Sequence, residues 1–138
     1  PQVTIHVEEG STLDFGGTQF HFSYTPGHTP GGISLVFPVY DHGEAHMISI
    51  WGGINPPASR EGCKTYIDSA AHFLKFCKDM GCDVEFSLHP FVDYSLEKME
   101  KLRLRKEGEA HPLITGPNSI NIFMEIVQIN AKQKMDNM

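Results

Sequence analysis

The chain has 138 residues and a mass of 15.4 kDa, 40% of it hydrophobic and 20% charged, with a formal net charge of −6. That is one domain's worth of ordinary globular composition, enough to bury about two-thirds of the unfolded surface, and it excludes intrinsic disorder. The acidic balance, with no Lys/Arg stripe interleaved with aromatics, argues against a nucleic-acid partner, and no apolar run reaches the roughly 20 residues of a membrane-spanning helix.

Val3, Ile5 and Val7 alternate with Thr4 and His6, the period-2 sign of a half-buried strand closed by Gly10. No charged stretch followed by an apolar core accompanies that pattern, so no signal peptide is expected within this sequence. Thr12–Phe15 and Thr18–Thr25 read as two short strands joined at Gly16-Gly17, a strong hairpin signal. Phe20, Phe22 and Tyr24 then share one face, and His21 falls on the solvent side. Ile33–Phe37 is a β-rich run ending near Pro38, Tyr40 to Glu44 supplies turn chemistry, and Ala45–Trp51 is the return strand. Asp41, His42, Glu44 and His46 at that tip read as solvated turn residues and not as a metal cluster. Gly52 to Pro57 forms a rigid, turn-rich loop at a strand end, a position where functional loops often sit.

From Ser59 to Met80 the residues Cys63, Tyr66, Ile67, Ala70, Ala71, Leu74, Cys77 and Met80 recur at intervals of three or four, the stripe of an amphipathic helix that Gly81 stops. His72 lies off that stripe. The three cysteines, Cys63, Cys77 and Cys82, are odd in number and lack Cys-x-x-Cys spacing, so they read as small core residues. Asp83–Leu88 is the next predicted strand, which delivers His89-Pro90 at its C-terminal end and completes a strand–helix–strand unit. Ser95 is expected to cap a charged helix over Leu96–Glu107, with Leu96, Met99 and Leu102 inward. After a loop from Gly108 to Pro117, Asn118 or Ser119 caps a final helix with Ile120, Phe123, Met124 and Val127 on one side.

Between the second and third strand patterns lies Tyr24-Thr25-Pro26-Gly27-His28-Thr29-Pro30-Gly31-Gly32. Each Pro-Gly step forces a turn, because Pro presets φ near −65° and Gly tolerates positive φ, so His28 is aimed from a strand end. Taken alone, such a histidine is either a solvated turn residue or a metal ligand or base. The run Thr-Pro-Gly-His-Thr-Pro-Gly resembles the second metal-ligand loop of the metallo-β-lactamase superfamily, most of all its third, histidine-ligated subclass. Thr12-Leu13-Asp14-Phe15-Gly16-Gly17 and Phe20-His21-Phe22 are similar to the strands leading into that loop, and the likeness continues in order to about residue 130.

The resemblance implies an α+β fold: the C-terminal αβ half of the four-layer αβ/βα metallo-hydrolase sandwich, a mixed sheet with helices on one face, with residues 1–138 forming a single half-domain. It implies zinc, one or two ions in the complete fold, with His28 on the first metal and His89, in Ser87-Leu88-His89-Pro90, on the second. The family's remaining ligands come from a His-x-His-x-Asp-His motif in the N-terminal half, and this sequence has no such motif. The expected partner is therefore that N-terminal half, or a second copy of this chain. Gly53 and Asn55 stand where the subclass carries a serine pair that grips the substrate carboxylate. Phe91 opens a bulky Phe91-Val92-Asp93 where the subclass has small residues; Gly53, Asn55 and Phe91 are thus the candidate substrate contacts.

The parent protein is accordingly expected to be a periplasmic or secreted hydrolase in which an activated metal-bound hydroxide attacks an amide, lactam or ester bond of a small molecule. This chain alone, with two ligands and no catalytic residue of its own, is expected to be inactive. Two alternatives stand beside that reading. One is a non-catalytic half-domain that covers an open apolar sheet face by homodimerising; the other is a binding protein in which His28 and His89 are ordinary polar residues.

Overall fold

The computed structural model describes residues 2–138. In chain order it forms β1 (Thr12–Phe15), β2 (Thr18–Tyr24), β3 (Ile33–Asp41), β4 (Glu44–Ile50), α1 (Arg60–Asp79), β5 (Val84–Glu85), α2 (Pro90–Asp93), α3 (Ser95–Leu104) and α4 (Pro117–Asp136). The strands make one mixed sheet in the order β1-β2-β3-β4-β5. The first four pair antiparallel, and β5 lies parallel to β4. A parallel neighbour needs a crossover, and α1 supplies it.

Local chemistry explains the turns. The β1–β2 pair closes at Phe15↔Thr18 over Gly16-Gly17, both at positive φ, the backbone a two-residue hairpin with right-handed twist requires. The β3–β4 pair closes at Asp41↔Glu44 over His42-Gly43, again both at positive φ. At the N-terminus of α1, Ser59 Oγ accepts the Gly62 N–H at 3.1 Å. At its C-terminus the Gly81 N–H reaches the Lys78 carbonyl at 3.2 Å and the Cys82 N–H reaches the Cys77 carbonyl at 2.9 Å, the paired bonds of a Schellman stop.

Helices α1 and α4 pack together over one face of the sheet, where Val36 and Trp51 meet Tyr66, Phe73, Ile120 and Met124 in one buried core. The opposite face carries Leu35, Phe37 and Val39 on β3 beside Ile50, Ile48 and His46 on β4, as their register pairs require, with Val84 beyond. That face is apolar and only partly covered. Leu102 of α3 and the segment 111–114 fringe it and leave a cavity of about 340 Å³ against Phe37, Ile48, Ile50, Val84 and Phe86. Among the described residues no helix is long and apolar enough to cross a membrane.

Several expectations are corrected. Residues 3–7 form no strand, and Val3 and Ile5 are exposed, because no neighbouring strand pairs with them. β3 continues through Pro38 to Asp41: the proline lies past His21↔Val36, the last register pair with β2, where β3 has a neighbour on one side only. His21 shares the helix-covered face with Val36 and is half-buried instead of facing solvent. The strand expected over 83–88 is only Val84–Glu85, since His89 and Pro90 turn the chain into α2. Ser95 is not a cap but the first residue of α3, and it is buried, whereas Leu96 and Met99 are exposed. Gly116, with Pro117 in the first turn, opens α4 in place of Asn118 or Ser119. Phe73, absent from the predicted stripe of α1, is buried, and Ala71 is exposed.

Candidate functional site

Topology brings the singled-out residues to one edge. Since β2 and β4 both run antiparallel to β3, they run parallel to each other, and β5 follows β4. The C-terminal ends of β2, β4 and β5 therefore share one side of the sheet. From that side leave the loop 25–32 with His28, the loop 51–59 with Gly53 and Asn55, and the segment 86–89 with His89. Ligand sites favour the carboxyl ends of parallel strands because loops converge there.

The His28 loop is held at every turn. Thr25 N–H bonds the Gly32 carbonyl at 2.8 Å, and Gly27 N–H and Gly32 N–H both reach the Thr29 carbonyl, at 3.1 and 3.3 Å. Of the two Pro-Gly steps, only the first uses a glycine at positive φ, Gly27 at 134°. There an added Cβ would stand 2.6 Å from the Tyr66 Cα, so Gly27 is needed for close packing on α1 as well as for its backbone. Gly32 is needed for close approach, since a Cβ would meet the Thr25 carbonyl at 2.5 Å. Below the loop, the fully buried Ser34 pairs with Thr25 Oγ1 at 2.8 Å and accepts the Gly52 N–H at 3.0 Å, which ties the first loop to the second.

The His28 ring lies against the second loop. Its Nδ1 is 2.6 Å from the Asn55 backbone carbonyl. A carbonyl only accepts, so Nδ1 carries the proton and Nε2 keeps its lone pair, the arrangement a metal-ligating imidazole needs. Gly53 makes room for it: a Cβ there would sit 2.3 Å from the His28 Cβ and 2.7 Å from Cγ. The loop around Gly53 is fixed by Tyr66 of α1, whose hydroxyl donates to the Gly53 carbonyl at 2.6 Å and accepts the Trp51 indole N–H at 3.2 Å. Burial pushes the Tyr66 phenol up to about 12, so it stays a donor across the neutral range.

His89 stands at the N-cap position of α2, exposed, with its ring edge-on to Phe91 at 5.7 Å between centroids. Phe91 is itself 78% exposed. The backbone that presents His89 is stapled by Asp93: one carboxylate oxygen takes the Ser87 N–H at 2.7 Å, the other the Ser95 N–H at 2.9 Å, and Ser87 Oγ accepts the His89 N–H at 3.1 Å. Asp93 is therefore a buried anchor beneath the loop and adds no bulk to a pocket, contrary to the expectation for Phe91-Val92-Asp93. Beside it, buried Glu85 has its carboxyl raised from the ordinary 4.5 to about 7, by burial first and then by the Asp93 charge.

The structure thus joins His28, Gly53 and Asn55 in one contact set and His89 with Phe91 in another; among the described residues no hydrogen bond links the two sets. Asp41, His42, Glu44 and His46 form no metal cluster. Asp41 instead takes a bidentate pair from Arg105 at 2.8 and 2.9 Å, and His46 Nδ1 pairs with Asp83 at 2.6 Å. Among the described residues no group of three or more His, Cys, Asp or Glu side chains could hold a metal ion. Sequence reasoning missed Tyr66 and Ser34, whose roles are long-range. Asp93 left a local signal, an Asp two residues before a helix start, where such side chains bond the backbone ahead of them.

No family model matches the sequence, and no curated protein matches it. Solved structures do. The subclass B3 metallo-β-lactamase BJP-1 of Bradyrhizobium japonicum superposes with a TM-score of 0.77 at 22% identity, covering 99% of this chain and 53% of that one. The native metallo-β-lactamase FEZ-1 from Legionella gormanii gives 0.74 at 22% identity, covering 95% and 50%. The class B3 di-zinc metallo-β-lactamase LRA-12 from an Alaskan soil metagenome gives 0.64 at 17%, covering 94% and 49%. The chain therefore has the α+β architecture of one half of the metallo-β-lactamase fold, and it spans about half the length of the solved structures it matches.

Proposed function

We propose that this chain is the C-terminal half of a zinc-dependent metallo-β-lactamase-fold hydrolase, inactive by itself and completed by an N-terminal half that supplies the other ligands. The observation that carries the reading is His28: a tautomer set by the Asn55 carbonyl, a free Nε2, and a glycine at 53 without which the ring could not sit there. Those residues fit one zinc ligand each from His28 and His89, with the remaining ligands of a zinc site coming from another segment. That LRA-12 is a di-zinc enzyme of the same fold supports the metal assignment. Bound there, zinc supplies Lewis-acid and water-activating chemistry. The chain's own groups orient: His28 and His89 would hold the metals, the exposed Asn55 side chain is free to donate a hydrogen bond to a substrate carbonyl or carboxylate, and exposed Phe91 offers an apolar wall for the rest of a small-molecule substrate.

Zinc titration of the chain combined with the complementing N-terminal half, followed by imidazole NMR, tests this. Zinc is expected to shift His28 through Nε2 while Nδ1 keeps its proton, and His28→Ala or His89→Ala is expected to weaken binding tenfold or more. Shifts confined to histidines outside the site, such as His42, with His28 unmoved, would overturn it.

A second reading, a non-catalytic half-domain that homodimerises, is favoured by the open sheet face. The accessible surface is 8598 Å², against about 7,200 Å² for a compact monomer of this mass. The excess of about 1,400 Å² exceeds the roughly 800 Å² per partner of an ordinary stable interface.

A further inference from the structure

Helix α4 is apolar on two sides. Ile120, Phe123, Met124, Val127 and Ala131 are buried in the core it shares with α1, the single stripe expected of a helix lying on a sheet. On the opposite side Ile122, Ile126 and Ile129 are each about half exposed, where a surface helix ordinarily carries polar residues. Spaced by four and then three residues, they lie within about 60° of one another around the axis and form one ridge along the helix. Glu125 and Lys132 flank that ridge on the same side, and both are exposed. Seven residues apart, about 10 Å along the axis, they do not reach each other, and among the described residues neither meets an opposite charge in its own chain.

We infer that this ridge pairs with the same ridge of a second copy of the chain, the two α4 helices running antiparallel. In that arrangement Ile126 packs on the partner's Ile129, and Ile122 lies beside the partner's Gln133. The two-fold axis then sets Glu125 against the partner's Lys132 and Lys132 against the partner's Glu125, two ion pairs beside an isoleucine seam. A parallel pair would set Glu125 beside the partner's Asn130, form neither ion pair and align the two helix dipoles unfavourably. The charge pattern therefore selects one orientation. Because α4 lies across the sheet from its open face, the pairing leaves that face free for its own cover. A contact one helix wide falls short of the roughly 800 Å² per partner of a stable interface, so it acts at high concentration or between chains already held near one another.

The test is sedimentation equilibrium on the chain carrying Ile50→Lys, which puts a charge on the open sheet face and leaves α4 as the associating surface. From micromolar to millimolar concentration this chain is expected to pass from monomer to dimer. Ile126→Asp, at an exposed position, is expected to lower the association constant by about tenfold or more. Glu125→Lys or Lys132→Glu alone is expected to lower it about fivefold at low salt, and the two reversals combined in one chain to restore it. A monomer across the whole range, a dimer that Ile126→Asp leaves unchanged, or a double reversal no stronger than the single ones would each overturn the inference. If lysine at position 50 unfolds the chain, the same reversals are read in the unaltered chain as a second association step.

Discussion

At the scale of single residues, the site depends on side chains that are absent as much as on those present. Gly53 leaves the volume that the His28 ring occupies, and Gly53→Ala would push a methyl to within 2.3 Å of the His28 Cβ. The expected result is a loss of about 1–3 kcal/mol of stability together with loss of the Nδ1–Asn55 bond, read as a changed tautomer in imidazole NMR. Glu85 gives a pH dependence whose sign is fixed. Its carboxyl titrates near 7 when folded and near 4.5 otherwise, so the folded chain binds more protons between those values. Stability should therefore fall as pH rises from about 4.5 to about 7, by on the order of 3 kcal/mol, and then level off. Urea unfolding at pH 5 and pH 8 checks this: Glu85→Gln should flatten the profile, and a wild-type chain equally stable at both values would refute the assignment. His46 works in the same direction: its hydrogen bond to Asp83 raises the imidazole, so its contribution is present at low pH and lost as pH climbs through its elevated titration point.

At the scale of elements, the segment from Ser87 to Ser95 depends on one carboxylate. Asp93 satisfies backbone donors at both ends of the turn that carries His89, and charge-assisted bonds of this kind are the strong ones. Asp93→Ala leaves two buried donors unmet, and about 3 kcal/mol of stability should go with them. Hydrogen exchange of Ser87 and Ser95 should rise well above that of β3, whereas an unchanged exchange pattern would show that the turn holds itself. Much of this level was legible in advance. The stripe on α1, the glycine stop at Gly81 and the Gly16-Gly17 hairpin are encoded within a few residues of where they act. The strand expected at residues 3–7 was misread because alternation describes a strand only if a neighbour pairs with it. Leu96 and Met99 were placed inward on the same grounds, yet α3 offers them no covering layer.

At the scale of the whole molecule, one face of the sheet is finished and the other is not. Helices α1 and α4 seal the first, while Phe37, Val39 and Ile50 stay partly open on the second, beside the 340 Å³ cavity. Soluble monomers rarely leave such a surface bare. Light scattering should find the isolated chain at about twice 15.4 kDa, and Ile50→Lys, on the open face and away from the α1–α4 core, should return it to a monomer. A well-folded monomer of the unaltered chain would dismiss the homodimer and leave the complementing half as the remaining cover.

The sequence by itself determined the local pieces and picked out the candidate residues: His28 between its turns, Gly53 and Asn55 after a strand, His89 before a proline. These were readable because strand and helix periods, turn glycines and an ordered motif act over short spans of chain. Only the tertiary structure decided that β2, β4 and β5 end on one side, that the Asn55 carbonyl selects the His28 tautomer, that Tyr66 and Ser34 tie the two loops together, and that Asp93 anchors His89 from below. Each of those is a contact between residues that no periodicity relates. Sheet register and helix packing bring them together, and both are settled by burial over the whole fold.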